Sequence, residues 1–267
     1  MTALKVWWWR WKYPNELNFG DEVTAPLLER LTGRPVTWAP LEKADVVGAG
    51  SVLQTVMRSK RQTMPAVWGA GLIRPYEGTI PDGFIPWAVR GRLSSAIFDG
   101  HLSQGSTIAL GDPGILANRL VDGPVTKKYS LGVIPHYKDV DDPTFTALSS
   151  AAGPVRRVDV AWTPEEVARE IASCHAVVSS SMHGLIFADS LGVPNARLKV
   201  SDKLVGGDYK FKDYASAFNG DRYQEPLRPE DVRDLSLHEI TDLVGSRYLP
   251  PSGIDGLRQG LVAALQV

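Results

Sequence analysis

Short apolar runs that end in glycine or a charged loop, separated by stretches with helical spacing, recur along the first two hundred residues. This alternation constrains the fold more than any other feature, because strand, crossover and strand in that order predict parallel sheets covered by helices. Residues 4–9 read as the first strand, followed by a turn at Asn18-Phe19-Gly20-Asp21. Residues 22–31 set Val23, Leu27, Leu28 and Leu31 on one helical face, and Gly33 stops that helix. Further strands are predicted at 36–38, 44–47, 66–68, 87–89 and 107–110.

The pattern restarts after Val121-Asp122-Gly123-Pro124. Strands are predicted at 130–135, 155–160, 176–179 and 196–200, with helices at 143–152, from Pro164 onward, and at 183–191. Thr163 is a good N-cap, Pro164 suits the first helical position, and Glu165 and Glu166 complement the positive helix end. Residues 254–265 form an amphipathic helix with Leu257, Leu261 and Leu265 at period four. The fold class is therefore α/β, read as two Rossmann-like halves, 1–123 and 124–267, facing a cleft, with the C-terminal helix packing back. One larger doubly wound sheet is the competing arrangement.

Composition bounds the function. The 267 residues are 43% hydrophobic and 22% charged, with a formal net charge of -1. That balance argues against a nucleic-acid partner, which would demand a basic face, but leaves room for a local basic pocket. The only cysteine, Cys174, lies in an apolar-periodic run and reads as a buried structural thiol, with no disulfide available to it. Five scattered histidines show no metal-ligand spacing, so no metal and no cofactor are expected. Val6-Trp7-Trp8-Trp9-Arg10-Trp11 is too short and too interrupted by charge for a signal segment or a membrane span. At least half of its tryptophans are expected in the core, with a sugar-stacking platform as the other use. A soluble, cytoplasmic protein is expected, with contact at a membrane surface left open.

Strand ends are where ligands bind in open parallel sheets. Gly48-Ala49-Gly50-Ser51 and Gly69-Ala70-Gly71 follow strand-like runs; Gly50 and Gly71 either bring backbone amides to a ligand or simply make tight turns. Neither fits a dinucleotide fingerprint. The richest segment is Val178-Ser179-Ser180-Ser181-Met182-His183-Gly184, three hydroxyls and a histidine at a helix start. Free amides and the dipole there favour phosphate or carboxylate, and His183 could move a proton. The alternative is that one serine caps the helix and His183 is an ordinary satisfied side chain.

The same segment, with Ala188, Gly192 and Pro194 beyond it, resembles the C-terminal signature of the polysaccharide pyruvyl transferase family, in which Ser-x-Arg-x-His precedes an apolar helix and Gly-x-Pro. Ser181 stands where that signature has arginine. The resemblance extends in order along most of the chain: Asn18-Phe19-Gly20-Asp21, Gly69-Ala70-Gly71, Arg90-Gly91-Arg92-Leu93-Ser94, Gly111-Asp112-Pro113, Ile134-Pro135-His136-Tyr137 and Phe211-Lys212-Asp213-Tyr214. It implies a bacterial-type enzyme of exopolysaccharide synthesis with a GT-B-like architecture. Such an enzyme moves the pyruvyl group of phosphoenolpyruvate onto a sugar, free or linked to lipid or nucleotide, forms a ketal and releases phosphate.

Under that resemblance 1–123 is the acceptor side and 124–267 the phosphoenolpyruvate side. His183 is expected as the general acid and His136 as a base for the acceptor. Ser179, Ser180, Ser181, Arg90, Lys210 and Lys212 are expected to bind the donor, with Arg90 replacing the signature arginine. Asn18, Asp21, Gly50, Gly71 and Arg92 are expected at the acceptor or elsewhere in the cleft. Two other readings stand beside this one: a nucleotide-sugar-dependent glycosyltransferase, and a sugar-binding relative without catalysis.

Overall fold

The computed structural model describes residues 2–10, 17–103, 106–220 and 222–267. Trp11, expected in the first strand segment, lies outside the described residues.

The chain forms two all-parallel sheets rather than one. The first contains β1 (Leu4–Trp7), β2 (Val36–Trp38), β3 (Val46–Val47), β4 (Ala66–Ala70), β5 (Ala88–Val89) and β6 (Ala109–Leu110), in the order β2-β1-β3-β4-β5-β6. The second contains β7 (Tyr129–Ile134), β8 (Val155–Arg157), β9 (Cys174–Ser179) and β10 (Asn195–Arg197), in the order β10-β9-β7-β8. In each sheet the strand order reverses direction at one point, between β1 and β3 in the first and between β7 and β9 in the second. Crevices open beyond the carboxyl ends of the strands at such points.

Helices form where the local signals ask for them. Thr24–Thr32 ends at Gly33, whose φ of 67° gives the left-handed cap. Pro164–Ala172 begins with a complete capping box between Thr163 and Glu166. Several elements escaped the periodicity, two of them important here. One is the 3₁₀ segment Pro113–Leu120, capped by Asp112; the other is the helix Leu237–Arg247, capped by Ser236 and Glu239.

One apolar cluster runs through both halves, joining Phe19, Leu27, Trp68 and Ile115 to Ile134, Val177, Ile186 and Phe187. Phe19 and Phe187 meet edge-on with centroids 4.8 Å apart, an arrangement aromatic rings favour. Two further clusters lie on the remaining faces of the two sheets. The C-terminal helix, Ile254–Ala263, does pack back on the chain: Leu261 is fully buried, and its carbonyl accepts a 2.8 Å hydrogen bond from Trp68 Nε1.

Residues 209–215 are helical. Helical positions two apart lie on nearly opposite faces, so Lys210 and Lys212 are separated where a strand would have aligned them. Lys210 turns into the protein, while Lys212 is exposed with its Nζ 5.0 Å from the Tyr223 ring.

Candidate active site

The two reversal points face one cleft of about 320 Å³. The first sheet supplies Trp9, Asn18 and Asp21 after β1 and Gly50, Ser51 and Val52 after β3; the second supplies His136 and Tyr137 after β7 and Ser181 and His183 after β9. Lys210 reaches in from the helix Tyr209–Ala215, and Arg74 is exposed at the rim.

The three serines divide their work. Ser179 Oγ donates to the Ile134 carbonyl at 2.8 Å and accepts from Ser181 N at 2.9 Å. Ser180 Oγ accepts from His136 N at 2.9 Å. These two hydroxyls fasten the end of β9 to the end of β7, and both residues are buried; they shape the site from behind instead of facing a ligand. Ser181 is the one that lines the cleft, at the N-cap of Met182–Ser190 with no capping bond from its side chain. The small residue in the place of the signature arginine thus leaves the start of that helix open.

His183 occupies the first turn of the same helix and is only 7% exposed. Its Nε2 lies 3.5 Å from Asp112 Oδ1, and the Asp112 side chain is wholly buried. A carboxylate so placed orients the ring. The other face of the imidazole rests on Gly20, where a Cβ would stand 2.1 Å from Nδ1. Only glycine admits the ring there. Because Nε2 is sealed beside Asp112, Nδ1 is the ring nitrogen left for proton transfer.

His136 is held differently. Its Nδ1 accepts a hydrogen bond from Lys138 N at 3.2 Å, which puts the proton of the neutral ring on Nε2. Burial, with Lys210, Lys138 and His183 nearby, pushes its pKa down to about 3. The ring is a neutral N–H donor, and the base role expected for it does not fit.

Lys210 is the cation of the cleft. It makes no ion pair or hydrogen bond among the described residues, and burial followed by the neighbouring Arg90 and Arg197 pushes its pKa down to about 8. Asp21 stands on the short helix Phe19–Glu22 beside Gly50. Burial raises its pKa to about 6 against the opposing pull of His183 and Lys210. Asn18 spends its side-chain oxygen on Gly20 N, capping that helix.

The remaining expectations need correction. Arg90 is fully buried behind the cleft. Its Nη2 lies 2.9 Å from Asp213 Oδ2, its Nη1 donates to Ser51 Oγ at 2.8 Å, and its Nη2 also donates to the Leu72 carbonyl. Every arm of the guanidinium is engaged by protein, so Arg90 is no replacement for the signature arginine. Gly71 makes room for it: a Cβ there would fall 2.3 Å from Arg90 Cζ. Arg92 and Lys212 are exposed and line no part of the cleft. Of the tryptophans, Trp7 and Trp8 are buried, while Trp9 is 45% exposed on the cleft wall.

Two participants were not assigned from sequence. Asp112 belonged to a quoted turn and ends a strand, which was signal enough. Arg74 sits in an irregular loop, with nothing around it to mark it.

A family model described as polysaccharide pyruvyl transferase matches residues 88–202. The protein named Uncharacterized protein L143, from Acanthamoeba polyphaga mimivirus, is 37% identical over 219 residues, covering 79% of this chain and 75% of its own. The chain belongs to the polysaccharide pyruvyl transferase family. A second member-like relative, the succinoglycan biosynthesis protein ExoV of Rhizobium meliloti (strain 1021), is 27% identical over 236 residues, covering 86% of this chain and 69% of its own. The family match takes in Arg90, Asp112, His136, Ser181 and His183, whereas Asp21 and Lys210 lie outside it. Among the described residues, no helix is long and apolar enough to cross a membrane.

Proposed function

We propose that this cleft transfers the pyruvyl group of phosphoenolpyruvate to a sugar of a cell-surface polysaccharide or its precursor, forming a pyruvate ketal and releasing phosphate. The observation that carries this reading is the meeting of Lys210, which makes no ion pair among the described residues, with the open helix start at Ser181 and the Asp112-backed His183. An enolpyruvyl phosphate needs cations and amides for its phosphate and carboxylate. It also needs an acid to protonate its methylene carbon.

In this reading Lys210, the Ser181 hydroxyl and the free amides of the helix start hold one anionic group of the donor. Arg74 meets the other from the rim, and His136 offers its Nε2–H. His183 gives its Nδ1 proton to the methylene carbon, and Asp112 steadies the ring through the transfer. The cationic centre formed at C2 takes the acceptor oxygen, phosphate departs, and a neighbouring hydroxyl closes the ring. The second half is then the main donor side, with Arg74 reaching in from the first half, which is the acceptor side, as in GT-B-like enzymes, with the reaction in the cytoplasm where phosphoenolpyruvate is supplied.

A nucleotide-sugar enzyme would want a free carboxylate in the second half. Asp189 is the carboxylate of that helix, and it is buried under Tyr214 Oη at 2.8 Å, Arg222 Nη2 at 2.6 Å and Asn195 Nδ2 at 2.9 Å. Thermal unfolding with phosphoenolpyruvate, beside UDP- and GDP-sugars and inorganic phosphate, tests the reading. A ligand at a hundred times its Kd adds about 2.7 kcal/mol. Selective stabilisation by phosphoenolpyruvate, lost in Lys210→Ala, is expected; stabilisation by a nucleotide sugar alone overturns the reading.

A further inference from the structure

Ketal formation releases a proton from each of two acceptor hydroxyls, so the site needs a base as well as an acid. His136 cannot be that base, because its Nδ1 is occupied by the Lys138 amide and its ring is buried among cations. His183 begins the cycle as the acid. Of the cleft-lining residues, the group left for the task belongs to the first half, the side to which the acceptor is assigned.

We propose that Asp21 is the general base that takes the proton of the attacking acceptor hydroxyl. Asp21 lines the cleft, stands on the helix whose Gly20 touches the His183 ring, and lies within electrostatic reach of Lys210. Its carboxylate makes no hydrogen bond among the described residues, so both oxygens are available to a substrate. Asn18 fixes the turn: its carbonyl accepts from Asp21 N at 2.9 Å, and its side chain accepts from Gly20 N at 3.0 Å. The charged groups facing Asp21 are Glu22 on its own helix, His183, Lys210 and Asp112. Burial among them makes this carboxylate more basic than an ordinary one while leaving it ionised at neutral pH, the state a base requires.

The inference rests on the pyruvyl-transfer reading, and the proton count closes under it. The π pair of the donor first takes the His183 proton at C3; the acceptor oxygen then bonds to the cationic C2, and the hydroxyl proton passes to Asp21. The C2–O bond to phosphate then breaks, its pair leaving with phosphate, and the second hydroxyl closes the ketal and releases its proton. One released proton restores His183 and the other leaves on phosphate, so Asp21 ends as it began.

The test compares wild type, Asp21→Asn and Asp21→Glu, using phosphate release from phosphoenolpyruvate with a panel of methyl hexopyranosides bearing free 4- and 6-hydroxyls. The expected result for Asp21→Asn is a kcat lower by about 10²-fold or more. Its KM for phosphoenolpyruvate should stay within about threefold, the acidic limb of the wild-type pH profile should vanish, and Asp21→Glu should restore part of the rate. A second arm needs no acceptor: calorimetric binding of phosphoenolpyruvate from pH 5 to 8. Wild type should gain affinity as pH falls through about 6, beyond the change that Asp21→Asn shows from the ligand's own phosphate. An Asp21→Asn protein with wild-type turnover, or with the wild-type pH dependence of binding, overturns the proposal. Wild-type protein that neither binds phosphoenolpyruvate nor releases phosphate from it overturns the pyruvyl-transfer reading instead.

Discussion

Arg90 and Asp213 form an ion pair with no solvent exposure on either side chain, joining the end of β5 to the helix that carries Lys210 into the cleft. Ser94 completes the arrangement, giving its amide to Asp213 Oδ1 at 2.8 Å and its hydroxyl to Oδ2 at 2.6 Å. Removing one partner of a buried pair strands the other charge, at a cost of about 3–5 kcal/mol. Asp213→Asn and Arg90→Ala should each lower the unfolding free energy by that much, as read from denaturant unfolding, while a paired replacement by apolar residues should cost less. A paired loss equal to the sum of the two single losses would show that the pair itself contributes nothing.

Lys210 loses its proton at about pH 8, because burial opposes its charge. A lowered lysine value means the cation is fully present below that pH and is lost above it. Affinity for phosphoenolpyruvate should therefore fall about tenfold per pH unit beyond 8. Lys210→Arg, if it still binds, should hold its affinity through pH 9, since arginine stays charged. Isothermal titration at pH 7, 8 and 9 reads both proteins.

Asp21 carries a stability cost. Its folded-state pKa, near 6, exceeds the unfolded value of about 3.9. The folded protein thus binds more protons between those values, and this group makes it more stable as pH falls from 6 to 4. Above pH 6 the full cost of ionising a half-buried carboxylate is present. Asp21→Asn should raise stability at pH 7.5 by about 1–3 kcal/mol after allowing for partial solvent contact. The advantage should shrink to nothing near pH 4, as measured by denaturant midpoints across that range.

Asp112→Asn keeps the shape behind His183 but removes the negative charge 3.5 Å from Nε2. Turnover should fall by about 10²-fold, with phosphoenolpyruvate affinity little changed. Lys212→Ala and Arg92→Ala, both exposed and outside the cleft, should leave both quantities intact.

The parallel α/β character was legible because strand-end glycines and helix caps are local. Gly33, Thr163 and Glu166 act within a few residues of where they stand. The helix Leu237–Arg247 was equally legible through Ser236 and Glu239, a capping box that simply went unread. His183 and Asp21 could be placed beside the cleft from strand ends, whereas Lys210 came only through the family resemblance. What could not be found was which charges pair with each other. Arg90 and Asp213 lie 123 positions apart in the chain, and nothing near Arg90 announces a buried acidic partner. Lys210 and Lys212 were assigned together, although the helix sends only Lys210 into the cleft, because a four-residue run of alternating aromatics and lysines looks the same in a strand as in a helix. The periods separate only over a longer window.

The contact between Gly20 and the His183 ring bears on how such a protein can change over evolutionary time. The glycine comes from one half and the imidazole from the other, and no larger residue can stand at position 20 while the ring keeps its place. A first half traded between relatives must therefore bring glycine to this position. A recombinant whose first half brings alanine to this position would push the ring off Asp112 and lose the proton relay, even with every polar residue retained.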